Sequence, residues 1–367
     1  MWIFVIFCTI TTIQIIYYLF IFGKFSFSEV KNKKNTHFPV SVVICAKNEA
    51  ANLRKFLPHL ANQNYSEFEI VLVNDMSSDN SLEIMYNFQR TITSNDISVK
   101  VISVHKGNSK GKKNALRIGI EASKFEYLLL TDADCRPTSE KWIERMASCF
   151  STDKSIILGY GSYRKIKNSF LNKIIRFETL FTAIQYFSYT LSGMTYMGVG
   201  RNLAYKKSDF IKVKGFENHS EVISGDDDLF INEIATSENT EICFAKDSFT
   251  ISEPKTRFKD WIRQKRRHIT TAKHYKRIHK LLLGLFYSSQ ILFWFLAIIL
   301  IVLNYNLTFV ILLIFIRFIV WYPVIIKSAN KLDEKDLIRY APIYEISIIF
   351  IQLYIFLKNK IAPPNHW

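Results

Sequence analysis

A chain of 367 residues with 12 glycines and 49% hydrophobic residues is neither collagen-like nor disordered, and is long enough for one large domain or two ordinary ones. Its formal net charge of +16 suits nucleic acid, anionic lipid or phosphorylated small molecules, so the position of the charge must choose among them. Five cysteines, an odd number with no C-x-x-C pair, argue against a disulfide framework or a zinc site and point to a reduced compartment.

The first 22 residues carry no charged side chain. A helix of that length spans ~33 Å, enough for a bilayer core of ~30 Å. A basic n-region and a small-residue cleavage site are both missing, so residues 1–23 read as an uncleaved anchor and not as a signal peptide. Lys24, Lys31, Lys33 and Lys34 follow it.

From residue 38 the pattern changes. Short β-branched runs at Val40–Ala46, Glu69–Asn74, Val99–Val104 and Tyr127–Thr131 alternate with helical stretches at 49–62, 79–91 and 111–122. Strands alternating with helices predict parallel βαβ units, and ligands then bind at the carboxyl ends of the strands. Those ends are polar: Ala46-Lys47-Asn48-Glu49, Asn74-Asp75-Met76-Ser77-Ser78-Asp79, Lys110-Gly111-Lys112-Lys113-Asn114 and Asp132-Ala133-Asp134. Two carboxylates at i and i+2 past a buried strand offer hard oxygen ligands to Mg²⁺ or Mn²⁺, which would neutralise a diphosphate. A lysine at a helix start adds charge for phosphate, and Asp75 can accept the N–H of a pyrimidine base. Taken singly, a D-x-D is an ordinary turn and Asp75-Met76-Ser77-Ser78-Asp79 an ordinary loop and helix cap. Gly107 to Lys113 is not a P-loop, since three residues separate its glycines and no Ser or Thr follows the lysine. No G-x-G-x-x-G follows a strand, so a dinucleotide site has no support.

Residues 170–197 place Phe170, Leu171, Ile174, Phe177, Phe181, Ile184 and Phe187 at helical spacing, which suits either a membrane surface or core packing. Between Lys255 and Lys280 stand eleven Lys or Arg and a single acid, Asp260. No charge then appears from Leu281 until Arg317, a run that predicts helices at 281–303 and 307–326 joined by an Asn304-Tyr305-Asn306 turn. Ala341 to Leu357 is a weaker candidate, apolar except for Glu345, and Arg317 is expected to snorkel or to pair with Glu345 across helices. By the positive-inside rule the chain between Gly23 and Lys280 is cytoplasmic. Because the basic charge lies beside apolar spans, lipid and not nucleic acid is the expected partner.

The order of these pieces resembles the inverting, membrane-associated glycosyltransferases of family 2, over about residues 38–270. The resemblance implies an α/β GT-A nucleotide-diphospho-sugar transferase domain with a mostly parallel central sheet, plus N- and C-terminal transmembrane helices. The domains would be an anchor at 1–23, a cytoplasmic catalytic domain at 38–253, a basic interfacial segment at 254–280 and two to three transmembrane helices within 281–358. The family's opening strand and acidic-tipped loop match Ser41 to Glu49, its base-contacting loop Asn74 to Asp79, its G-K segment Gly111 to Leu116 and its metal-binding D-x-D Asp132-Ala133-Asp134. Gly198 to Tyr205 resembles the segment facing sugar and acceptor. Ser224-Gly225-Asp226-Asp227-Asp228-Leu229 resembles the acidic E-D-x-D-L motif, with Gly225 in place of the glutamate. Gln264 to His268 resembles Q-x-x-R-W, with histidine in place of tryptophan.

Carried over residue by residue, the resemblance implies Asp226 as general base with Asp227 as the neighbouring candidate. It assigns Ala46, Asn48, Glu49, Asp75, Lys112, Asp132, Gln264, Arg267 and His268 to the nucleotide-sugar. Gly200, Arg201 and Asn202 would face sugar and acceptor, and Asp132 and Asp134 would hold Mg²⁺ or Mn²⁺. The implied reaction is direct displacement at the anomeric carbon of a UDP-linked sugar by a lipid-linked or saccharide acceptor at the cytoplasmic face, a plasma membrane if the source is bacterial. A membrane scaffold that keeps the fold without the chemistry is the alternative, against which the retained Asp132, Asp134 and Asp226 argue. Three or four crossings and a large cytosolic domain fit a transporter poorly.

Overall fold

The computed structural model describes residues 1–30, 37–92, 97–104, 111–222 and 224–362. Lys31, Lys33, Lys34 and Lys110 lie outside the described residues. The chain divides into two compact units, one made of Val30–Lys167 and Thr195–Thr256, the other of Met1–Glu29, Asn168–Met194 and the described residues from Arg257 to Ala362.

The first unit is α/β. Its strands are β1 (Val40–Ala46), β2 (Phe68–Asn74), β3 (Ser98–Ser103), β4 (Tyr127–Leu130), β5 (Cys135–Pro137), β6 (Ile156–Leu158), β7 (Gly161–Tyr163), β8 (Leu203–Lys206), β9 (Thr240–Ile242) and β10 (Thr250–Ser252). Seven form a sheet in the order β3-β2-β1-β4-β8-β6-β9, parallel except for β8, which runs against both its neighbours. The other three form a small sheet in the order β5-β10-β7. The mostly parallel sheet expected from the alternating pattern is therefore present.

Strand β1 is central and apolar on both sides, as a strand covered on both faces must be. Val40, Val42 and Ile44 pack with Leu53, Leu57 and Leu60 of the helix Ala50–Ala61. On the other face Val43, with Val71 and Val73 of β2, meets the helix Lys112–Ala122 at Gly119. A Cβ at Gly119 would stand 2.8 Å from Val73 Cγ2 and 2.9 Å from Val43 Cγ1, so only glycine lets the helix lie this close. Gly119→Val is expected to cost about 1–3 kcal/mol by overpacking, read as a lower thermal unfolding midpoint; an unchanged midpoint would show that the contact relaxes freely. The polar residues of β1 and β2 are also satisfied. Ser41 Oγ donates to Glu69 Oε1 at 2.6 Å and accepts the N–H of Phe125 at 3.0 Å.

Among the described residues of the second unit, four helical segments are long and apolar enough to cross a membrane: Trp2–Ser26, Arg277–Val302, Leu307–Lys331 and Lys335–Ile361. The last contains the candidate at 341–357. Between the second and third, Asn304 and Asn306 have φ of 50° and 48°, a left-handed conformation that asparagine tolerates. The helix Phe170–Leu191 belongs to this unit and not to the α/β unit, so residues 38–253 are not one continuous body. Ile174, Phe177, Phe181, Ile184 and Phe187 are buried, while Phe170 is exposed. Arg176 Nη1 donates to Asp336 Oδ2 at 2.8 Å and Nε to Glu334 Oε2 at 2.9 Å, fixing this helix to the start of the last apolar segment.

Arg317 is fully buried and pairs with Glu345, the pairing expected of two charges in apolar runs. Its Nη2 lies 2.6 Å from Oε1 and its Nη1 3.1 Å from Oε2. Arg317 Nε donates to Gln14 Oε1 at 2.6 Å, and Tyr18 Oη donates to Glu345 Oε1 at 3.2 Å. The guanidinium lies 4.9 Å from the centre of the Phe293 ring and 5.3 Å from that of Phe318. The first, third and last apolar segments thus share one polar knot.

Candidate active site

The carboxyl ends of β1 and β2 are stitched into one surface. Ala46 O accepts the N–H of Asp75 at 2.9 Å. Asn48, left-handed at φ 57°, accepts the Ser78 N–H at 2.8 Å through Oδ1, and its own N–H donates to Ser77 Oγ at 3.0 Å. Asp79 accepts the N–H groups of Ser81 at 3.0 Å and Ala50 at 3.1 Å, serving the first turns of two helices at once. Asp75 is 4% exposed, with Lys47 Nζ 3.8 Å away. Glu49 accepts from Asn52 Nδ2 at 2.6 Å, and burial, aided by the charge of Asp134, pushes its carboxyl above the usual range.

Lys112 opens the helix Lys112–Ala122, and its ammonium is the centre of the site. Nζ lies 2.8 Å from Asp132 Oδ1, just past β4, and 2.9 Å from Asp226 Oδ2, ninety-four residues later in the chain. Cys45, Thr131, Gly200 and Asp227 line the same pocket. Burial works against the lysine's charge, but Asp132, Asp226 and Asp227 more than offset it and hold the ammonium charged. The Cys45 thiol reports the same gathering. Burial pushes it up, Lys112 opposes, and Asp226, Asp132 and Asp75 push it further. Acids from three separate loops therefore surround one point at the sheet edge.

The two adjacent acids after Gly225 differ in their surroundings. Asp226 is buried, which disfavours its charge, yet Lys112 outweighs this and holds the carboxyl below the usual range. Asp227 accepts the N–H of Gly200 at 2.8 Å through Oδ2 and that of Asp228 at 2.8 Å through Oδ1. Burial, then the charges of Asp226 and Asp228, push it up to about 7. Gly225 itself has φ 99°, and a Cβ there would stand 2.6 Å from Leu229 Cδ1. Glutamate does not fit that backbone, which accounts for the departure at this position.

Asp132, Asp134 and Cys135 bring one ligand atom each within 4.8 Å of one another. Burial and then Asp132 push the Asp134 carboxyl up, and two carboxylates this close are a hard-oxygen donor set that fits a divalent cation. The Cys135 thiol, 3.3 Å from Asp134 Oδ1 and 2.9 Å from Ser252 Oγ, is pushed up by burial and by both acids, and stays protonated. A hard ion would therefore take the carboxylates. Arg201 stacks on Tyr163 with its guanidinium 4.3 Å from the ring centre and donates to Ser162 O at 3.2 Å. Burial works against its charge, but Tyr163, Cys135, Asp134 and Asp132 keep it protonated.

Asn202, expected beside the sugar, is turned into the fold. Its amide donates to Tyr160 O at 3.0 Å and Ser248 O at 2.7 Å and accepts from Trp142 Nε1 at 3.0 Å. Gln264, Arg267 and His268 lie on the helix Phe258–Ile269 of the other unit, with Trp261 and Ile262 forming its buried side. Thr270 and Thr271 hydroxyls close the end of that helix on the carbonyls of Arg267 and His268 at 2.6 and 2.7 Å. Cys45, Thr131 and Lys113 were not expected in the site. Of these only Lys113 left a trace in the sequence, as a second lysine at a helix N-terminus, where the helix dipole disfavours positive charge.

Residues 41–213 match the model of glycosyl transferase family 2. A poly-beta-1,6-N-acetyl-D-glucosamine synthase of Staphylococcus epidermidis is 34% identical over 122 residues, 32% of this chain and 28% of that protein. One from Staphylococcus aureus is 29% identical over 177 residues, 47% of this chain and 41% of that protein. The matches thus span less than half the length of these curated relatives. A mannosyltransferase of Pyrobaculum calidifontis, solved with GDP-Man and Mn²⁺, superposes with a TM-score of 0.60 at 14% identity, covering 94% of this chain and 97% of its own, a likeness of fold. The stretch 41–213 therefore carries a match to glycosyl transferase family 2, and the α/β unit has the GT-A fold.

Proposed function

We propose that the protein is an inverting glycosyltransferase that moves a sugar from a nucleotide diphospho-sugar, with UDP as the nucleotide, to a saccharide or lipid-linked acceptor at the cytoplasmic membrane face. One observation carries the reading: Lys112 joins Asp132 and Asp226, so the residues suited to a leaving group and to a base stand at one point. Asp226 takes the proton from an acceptor hydroxyl as its oxygen bonds to the anomeric carbon. The bond from that carbon to the diphosphate oxygen breaks on the opposite face, which inverts the configuration. Lys112 and Arg201 supply fixed positive charge beside the departing diphosphate. Asp132 and Asp134 would hold a Mg²⁺ or Mn²⁺ ion, which when bound neutralises the same diphosphate. Asp75 suits the N–H of a uracil ring.

The eleven basic residues between Lys255 and Lys280, just before an apolar segment, support a cytoplasmic α/β unit. The matched relatives are synthases of an N-acetylglucosamine polymer, which supports a polysaccharide product and makes N-acetylglucosamine donors the first to test. The test is purified full-length protein in detergent with a panel of nucleotide-sugars, with and without EDTA. Nucleotide release with one donor, stopped by EDTA and restored by Mn²⁺, is expected. Absence of release with every donor counts against the transferase, and release indifferent to EDTA counts against the metal.

A further inference from the structure

Lys113 is a buried ammonium that the reaction above does not use. It is 8% exposed, and its Nζ donates to the carbonyl of His219 at 2.6 Å and to that of Val222 at 2.8 Å. Those carbonyls belong to the stretch that begins with the turn Glu217–His219 and leads into Asp226. The arrangement is unfavourable on two counts. Lysines at positions 112 and 113 place two cations at the N-terminus of one helix, against its dipole. Burial further disfavours the charge of Lys113 and lowers it from the usual lysine range, although Asp226, Asp228 and Asp227 oppose this. What the position gains is a pair of charge-assisted bonds to the main chain, four residues before the acid that Lys112 holds by its side chain. The acid loop is therefore gripped twice from a single helical turn, once by carboxylate and once by backbone.

We infer that Lys113 is a positioning residue, which sets where Asp226 stands by tethering the backbone that delivers it. The inference rests on Asp226 as the base. A misplacement of that carboxylate would slow proton removal without altering the nucleotide contacts at the ends of β1 and β2.

The experiment compares full-length Lys113→Met, Lys113→Arg, Asp226→Asn and the double variant Lys113→Met/Asp226→Asn in detergent, with saturating Mn²⁺ and the donor found above. Lys113→Met is expected to lower kcat about tenfold to a hundredfold while the donor KM stays within about twofold. Lys113→Arg, which keeps the charge and the donors, is expected to recover about a third or more of the wild-type rate. In the Asp226→Asn background the loss of Lys113 is expected to change the residual rate by less than about twofold, since the group being positioned is already gone. A wild-type kcat for Lys113→Met, no recovery with arginine, or the same fractional loss in both backgrounds overturns the inference. An Asp226→Asn protein at the wild-type rate removes the base assignment and the inference together. An inactive Asp226→Asn beside a normal Lys113→Met removes the inference alone.

Discussion

Asp226→Asn is expected to slow sugar transfer by about 10²–10⁴-fold while donor binding changes by no more than about twofold. The amide keeps the shape of the carboxylate but cannot take up the acceptor's proton. Asp227 is poorly placed to replace it, because both of its oxygens already accept main-chain N–H groups from Gly200 and Asp228. Asp226 is instead paired with the Lys112 side chain, which holds it ionised. Folding that keeps its carboxyl low contributes stability above the carboxyl's unfolded pKa, and this is lost as pH falls through the lowered value. The base should therefore stay charged well into mildly acidic solution. Asp227, pushed up to about 7, has the opposite sign and is most readily accommodated while protonated. The check is product formation together with donor KM in both proteins across pH. A wild-type rate in Asp226→Asn would move the base elsewhere.

Glu345→Leu is expected to cost about 3–5 kcal/mol, because it strands a buried guanidinium with no counter-charge. Arg317 is fully buried, and its remaining partners would be Gln14 and a set of aromatic rings. Aromatic faces attract a cation by only about 0.5–2 kcal/mol, too little to replace a bidentate carboxylate. Arg317→Met combined with Glu345→Leu should regain most of the loss, since a well-packed apolar pair often matches a buried ion pair. Thermal unfolding in detergent of both variants and the wild type decides the matter. A Glu345→Leu protein with an unchanged midpoint would show that the pair contributes nothing to stability.

How much of this was legible beforehand follows from the length of each signal. Strands β1 to β4 were readable because each is a short run rich in β-branched and apolar residues that leads into a polar loop, and their observed limits fall within a residue of the expected ones. Strands β5, β7 and β10 have three residues each, too few to display alternation, and they exist through pairing with segments far away in the chain, as between Cys135 and Ser252. The helix Phe170–Leu191 could be read either as membrane or as core, because the same spacing serves both. In the site, Asp75, Asp132 and Asp134 were legible as side chains placed after strands, and Asp226 and Asp227 through the resemblance of their motif. The grip of Lys113 was not, because its acceptors are backbone carbonyls that no residue letter encodes. Asn202 misled for the converse reason. Its motif suggested a ligand, but its partners Trp142, Tyr160 and Ser248 lie forty or more residues away.

The knot around Arg317 also imposes an order on biosynthesis. Gln14 and Tyr18 emerge from the ribosome some three hundred residues before Arg317, and Glu345 follows Arg317 by 28 residues. If these segments cross a bilayer, the translocon must release a guanidinium sideways into lipid before its carboxylate has been made. A nascent chain cut short ahead of Ala341 would carry that orphan permanently, a mark by which membrane proteases can tell the unfinished molecule from the finished one.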